Sequence, residues 1–457
     1  MHSKHIQHLY WRACFGILPK QQYAIQNYSR KEVVVELLKS TRKVKPIKID
    51  LSHYDGVSFM QFKNDKNLRK NLAAINREKI RKLNTAWINS LMNNGDLTER
   101  MTLFWANHFS CEDSSPVYMQ QFINVLRKHA LGDFGDFIRA VSKSAAMIRY
   151  LNNNQNKKSS PNENFARELL ELFTLGIGHY SENDIKECAR AFTGHGHNFE
   201  GKFFFRAYQH DYGVKFFLGR SGGFDGNDII DIILKEKQCA RFICEKIYCY
   251  FVNQNLVKEH INQMVEVFYG NYNIAKLMRF VFMSNWFYDN NNIGTKIKSP
   301  IDLLAGIYKT IPVEFEDEKD IFKIQYLLGQ VLLKPPNVAG WEGGSSWIDV
   351  NTIMVRLRLP SLLLNHAQIP YKAKGDFNDA FRDYYTKKNK NKLPFKVKAS
   401  WDYFFKSYGH YSNTTLRDNL INSRLSEGTR QYLDSLSKVS QRDFCVQLMS
   451  IPEYQMC

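Results

Sequence analysis

The chain has 457 residues, 44% hydrophobic, 14% aromatic and 24% charged, a globular composition with length enough for one large domain or two to three ordinary ones. No stretch approaches the roughly 20 apolar residues of a membrane-spanning helix, and the opening MHSKHIQHLYWRACFG lacks the apolar run of a secretory signal, so a soluble, cytoplasmic protein with no membrane span is expected. A net charge of +18 raises the question of an anionic partner, which the distribution of charge decides better than its total.

Helical period dominates the chain and predicts a mainly α protein, a succession of helices joined by short polar loops. From 63 to 82, Lys63, Lys66, Lys70, Arg77 and Arg81 form one stripe while Leu68, Leu72, Ile75 and Leu83 take the other side. That pattern is a solvated helix face. Nucleic-acid binding ranks last because no aromatics interleave the stripe. Asp96 and Glu99 have capping-box spacing and predict a helix from about 97, carrying His108 among Leu97, Met101, Phe104 and Trp105, with Asn107 adding polarity beside it.

Ser160 and Glu163, with Pro161 between them, predict a second start near 161. On a helical wheel Phe165, Leu169, Leu172 and Phe173 share a face, Glu168 lies at its edge beside Asn164 and Glu171, and Glu163 and Arg167 point the opposite way. A carboxylate at the border of a buried face is costly unless paired or ligated, so Glu168 with Glu171 is a candidate acid/base pair or metal-ligand pair. The plainer alternative is an ion-paired surface helix with Arg167 or Arg190 as counter-ion. Ser181 and Asp184 predict a third start near 182.

Aromatic runs broken by Gly201 and Gly213 suit a small β-hairpin insertion around 198–220. His179, His195, His197, His210 and Asp211 lie in or beside loops, where they could join the two glutamates in a divalent-metal or acid/base site. His195 and His197 are the nearest thing to a metal pair, and His210 with Asp211 are further candidate ligands. No HExxH, P-loop or GxSxG pattern occurs. Gly222, Gly223, Asp225 and Gly226 precede an apolar helical run, a turn able to take an anion. The eight cysteines include no CxxC pair and read as reduced thiols. The loop 333–349 holds Trp341 and Trp347, which either stack on a sugar or base or pack the loop against helices. Near 365–400 the chain turns polar and basic, and the run TKKNKNKLPFKVK at 386–398 reads as a loop. A main helical domain over 1–365 and a C-terminal helical section over 366–457 are expected.

The stretches HLYWRACFG, FWANHF, NENFARELLELFTLGIGHYSENDIKECARAFTG, HDYGVKFFLG and GQVLLKPPNVAGWEGGSSWI, in that order, resemble the bacterial family known as the domain of unknown function numbered 1800. The resemblance covers nearly the whole chain and implies no established activity. Genes of that family often accompany those of a family numbered 1501 that looks like a sulfatase or alkaline-phosphatase relative, so a sulfatase-like partner encoded nearby is implied. Many members are exported. This chain departs from them in starting almost at the first motif and in placing His195 where a Trp is common.

These readings lead to an expected hydrolase-type enzyme, metal-dependent or acid/base, acting on a polar polymer or carbohydrate. Glu168, Glu171, His108 and Arg167 are its candidate catalytic residues, Asn164, His179, Trp341 and Trp347 its binding residues, and His210 and Asp211 its metal ligands. The rival is a binding or assembly protein serving a neighbouring gene's product.

Overall fold

The structure is a computed structural model that describes residues 1–39, 44–365 and 395–457. Among the described residues are twenty-two α-helices and three two-stranded antiparallel sheets, the mainly α architecture that helical period implies. Backbone contacts group the chain into a central unit, residues 30–287 with 332–342, and a terminal unit, residues 1–29, 288–331 and 343–457. The polar, basic run at 386–398 lies outside the described residues up to 394, and the change of composition near 365 falls on the same gap.

Local capping sets many helix starts. Asp96 accepts the Glu99 N–H at 3.0 Å, opening Leu97–His108, and Ser181 and Asp184 cap each other's backbone to open Glu182–Ala191. The basic stripe is broken at Asp65, whose carboxylate takes the Asn67 and Leu68 N–H groups and separates Phe59–Asn64 from the 28-residue helix Lys66–Asn93. Lys63, Lys66, Lys70, Arg77 and Arg81 are exposed, as a solvated face requires.

The core of the central unit is aromatic. Trp105 is fully buried, stacks on Phe109 and Phe134 and meets Phe137 edge-on, while its indole N–H donates to the Ala130 carbonyl at 2.9 Å. Two small hairpins lie in this unit: β1 (His195–His197) pairs with β2 (Phe203–Phe205), and β3 (Lys215–Phe217) with β4 (Arg220–Gly222). The insertion expected at 198–220 is thus two hairpins, and the first begins at His195.

The terminal unit holds its own core. Trp11 on Ser3–Cys14 and Tyr454 sandwich the Lys298 ammonium at 3.7 and 3.8 Å. Its hairpin, β5 (Val313–Phe315) with β6 (Val397–Ala399), joins segments over 80 residues apart, too distant for a local pattern to reveal. All eight cysteines are free, and seven are buried. Among the described residues no helix is long and apolar enough to cross a membrane.

Candidate functional site

The polar motif is built on an unusual backbone. The α-helix Asn164–Glu168 runs directly into a π-helix, Leu169–Thr174, closed by bonds such as Leu175 N–H to the Leu170 carbonyl at 2.9 Å. The wider turn rotates later side chains away from the α wheel: Leu170, Phe173 and Thr174 become core residues and Leu172 is only half-buried. The start also differs from the spacing rule. Ser160 spends its backbone on Lys157, so the helix begins at Asn164, whose N–H is held by the Asn162 side chain at 3.1 Å.

A π-helix end leaves carbonyls without intrahelical donors, and side chains from other helices supply them. His108 donates from Nε2 to the Phe173 carbonyl at 3.0 Å, and Gln238 donates to the Leu175 carbonyl at 2.9 Å. The His108 ring is packed among Phe104, Trp105, Phe109 and Phe173. Burial, reinforced by the nearby Lys246 charge, drives its pKa down to about 3 despite the bond to Phe173, so it is neutral at physiological pH. Its place in the structure is as a tie between the motif and the Leu97–His108 helix.

The motif's two polar sides are treated differently. Arg167 donates to both oxygens of Glu182 at 2.9 and 2.8 Å and reaches Glu163 at 3.3 Å, so its guanidinium faces carboxylates of its own chain. Glu171 accepts the Tyr180 hydroxyl at 2.9 Å. Burial first, then the bond to and charge of Glu171, push the Tyr180 phenol up to about 12. Glu168 makes no hydrogen bond and no ion pair among the described residues. Burial raises its pKa, the Glu171 charge raises it further, and only Arg167 opposes them.

Several groups that sequence reasoning passed over stand with Glu168. Tyr150 has its pKa raised by burial and then by the charges of Cys111, Glu112 and Glu168. Glu112 is raised by burial against the pull of Lys334, and Asp113 is raised by burial while it pairs with Arg149 at 3.2 Å. The acidic Glu112-Asp113 pair, one residue beyond the FWANHFS segment, was the signal available, as was Tyr180 beside His179.

Other candidate residues disperse. Asn164 and His179 are exposed, and the latter's charge bears on Glu245. Asn107 grips the Trp341 backbone from both sides, accepting its N–H at 2.7 Å and donating to its carbonyl at 3.0 Å. The adjoining Gly340, at φ +78°, is required there because a Cβ would collide with Asn107. Trp341 itself is half-buried in the central unit, whereas Trp347 is buried in the terminal unit, so the two are described in separate cores.

The side chains of His210 and Asp211 part company. His210 is buried and donates from Nδ1 to the Thr193 carbonyl at 2.9 Å, while Asp211 is gripped by Arg190 at 2.7 and 3.2 Å and by the Gly213 N–H. His197 donates from Nδ1 to the Asn198 carbonyl at 2.9 Å, and His195, its pKa lowered by burial to about 4, sits edge-on to Phe192 and Phe203. Among the described residues no three His, Cys, Asp or Glu side chains are placed to hold a metal ion. The turn before Gly226–Leu234 already carries its own anion, since Asp225 takes the Asn227 and Asp228 N–H groups.

The family described as Protein of unknown function (DUF1800) matches residues 8–456, nearly the whole length, and the chain belongs to it. No curated protein and no solved structure matches the chain.

Proposed function

Starting from that membership, we propose that the protein is an acid/base enzyme of hydrolytic type with Glu168 and Glu171 as its working pair. One observation carries the reading: Glu168 is a half-buried carboxyl without a partner, its proton held more tightly because of burial and of the neighbouring Glu171 charge. A carboxyl that holds its proton more tightly than a free one is suited to act as a general acid. In this scheme Glu168 donates its proton to the leaving group. Glu171, oriented by the Tyr180 hydroxyl, supplies the negative charge or receives a proton from attacking water. The α-to-π junction supports it, since π-turns within helices often mark functional positions.

The substrate class proposed is a polar polymer of carbohydrate type. Phe204 and Phe216 are exposed on the two hairpins and Tyr208 and Tyr212 on the segment between them, and β3 packs against Glu182–Ala191, the helix that holds Arg167. Exposed rings of this kind give flat apolar surfaces with polar rims. The test is a panel of soluble polysaccharides at pH 4 to 8, assayed for new reducing ends with the wild type and Glu168→Gln. Product formation by the wild type, lost in a folded Glu168→Gln, supports the reading. Equal product from both, or none from either, sinks it.

The same exposed rings favour a second reading, a non-catalytic protein that docks a partner such as the sulfatase-like product of a neighbouring gene. Tyr208→Ser with Phe216→Ser would then abolish capture of that partner while Glu168→Gln leaves it intact.

A further inference from the structure

On the central unit, away from the residues of the acidic motif, the described residues line a cavity of about 540 Å³ whose charged side chains are all cationic: Arg127, Lys128, Lys276 and Arg279. No Asp or Glu lines it. Lys128, Lys276 and Arg279 are exposed and make no ion pair among the described residues, so three positive charges at its walls are unmatched.

Two polar atoms behind the walls, each with almost no accessible surface, lack partners. Arg127 is 5% exposed; its terminal nitrogens reach the Lys45 carbonyl, Ser90 and Glu99, yet its Nε has no acceptor. Thr98 is 4% exposed and its hydroxyl oxygen has no hydrogen-bond partner.

Backbone electrostatics point the same way. Thr98 lies in the first turn of Leu97–His108, and Ala275 and Lys276 lie in the first turn of Ile274–Met283. The first of these ends already carries the Asp96 carboxylate as its cap, so the positive end left to the cavity is that of Ile274–Met283, capped by the neutral Asn273 side chain. Leu38 and Leu131 add apolar wall, and the volume falls within the range of about 300–1,000 Å³ usual for small-molecule sites.

We propose that this cavity binds a small organic ester of phosphate or sulfate, its oxyanion held by Lys276, Arg279 and Lys128, and its organic part against Leu38 and Leu131. The site is independent of the Glu168 reading and stands or falls separately from it.

Titration calorimetry of the full chain with glucose 6-phosphate, glucose 6-sulfate and glucose tests this at low and moderate salt. Either ester should bind, with affinity falling as salt rises, and glucose should not. Lys276→Glu with Arg279→Glu, both exposed positions, should weaken ester binding about tenfold or more, equivalent to roughly 1.4 kcal/mol. Lys128→Gln serves as a second variant if the pair fails to fold. Lys63→Glu with Lys70→Glu makes the same change of net charge on the distant stripe and should leave affinity within about twofold. Failure of both esters to bind, equal weakening by the stripe variant, or binding of anionic-lipid vesicles without binding of either soluble ester overturns the proposal.

Discussion

Two glutamates of the central unit, Glu99 and Glu168, meet burial in opposite ways. Glu99 is 2% exposed and paired: Arg127 bonds one of its oxygens directly and Ser90 donates to that same oxygen at 2.7 Å, while the other oxygen accepts no hydrogen bond. Glu168 is less buried and makes no side-chain hydrogen bond or ion pair among the described residues, with only the Arg167 charge in its favour, so the charged form is penalised instead. A carboxylate matched this closely belongs to the scaffold. One left unmatched, on an α-to-π junction that other helices hold in place, holds its proton more tightly.

The largest expected effect comes from breaking the matched side of this contrast. Glu99→Ala leaves Arg127 buried without its carboxylate, and the loss should be about 3–5 kcal/mol of stability. Urea unfolding followed by circular dichroism measures it. A loss under about 1 kcal/mol would show that Arg127 finds another partner and that the two glutamates are less different than their surroundings suggest.

How much of this contrast was legible in the sequence follows from the range of the interactions. Capping at Asp96 and Ser181 involves residues three apart, and those starts could be read directly. The start at Ser160 could not, because Asn156 and Asn162 supply the local bonds and Ser160 pairs with Lys157. The wheel set Arg167 and Glu163 against Asn164, Glu168 and Glu171; Arg167 bonds to Glu163 and Glu182, whereas Asn164 is exposed. The wheel misjudged Leu172, because a period of 3.6 residues fails once bonds run to the fifth residue. Longer contacts left no trace in local pattern. Asn107 meets Trp341 across 234 positions, and His108 meets Phe173 across 65, so the ring's role as a helix cap could not be told from that of a base.

His108 sharpens the comparison through pH. Its folded pKa of about 3 lies below the unfolded value near 6.5, so the unfolded state binds the extra proton between them. Stability from this group is therefore present in full above pH 6.5 and is lost as pH falls towards 3, by on the order of 3 kcal/mol between pH 6.5 and 4. His195, lowered to about 4, acts in the same direction. His108→Gln retains an N–H for the Phe173 carbonyl and removes the titration. Melting curves from pH 7 to 4 should be flatter for that variant, and unchanged acid sensitivity would mean that the ring is protonated in the fold at little cost.

Glu168 carries the smallest effect and the opposite sign. Its folded pKa is raised, so the folded state holds the proton more tightly, and ionisation weakens the fold as pH climbs through the window between the unfolded and the raised value. Glu168→Gln removes a poorly solvated charge and its repulsion from Glu171 without leaving a partner stranded. At pH 7 the variant should be as stable as the wild type or more so, by less than about 1 kcal/mol, while at pH 4 the two should coincide. Working groups held in unfavourable surroundings behave this way, because their replacement relieves the fold and removes the chemistry together. A clear loss of stability in Glu168→Gln at pH 7 would place Glu168 with Glu99 among the matched carboxylates and remove the physical ground for assigning it the proton-donating role.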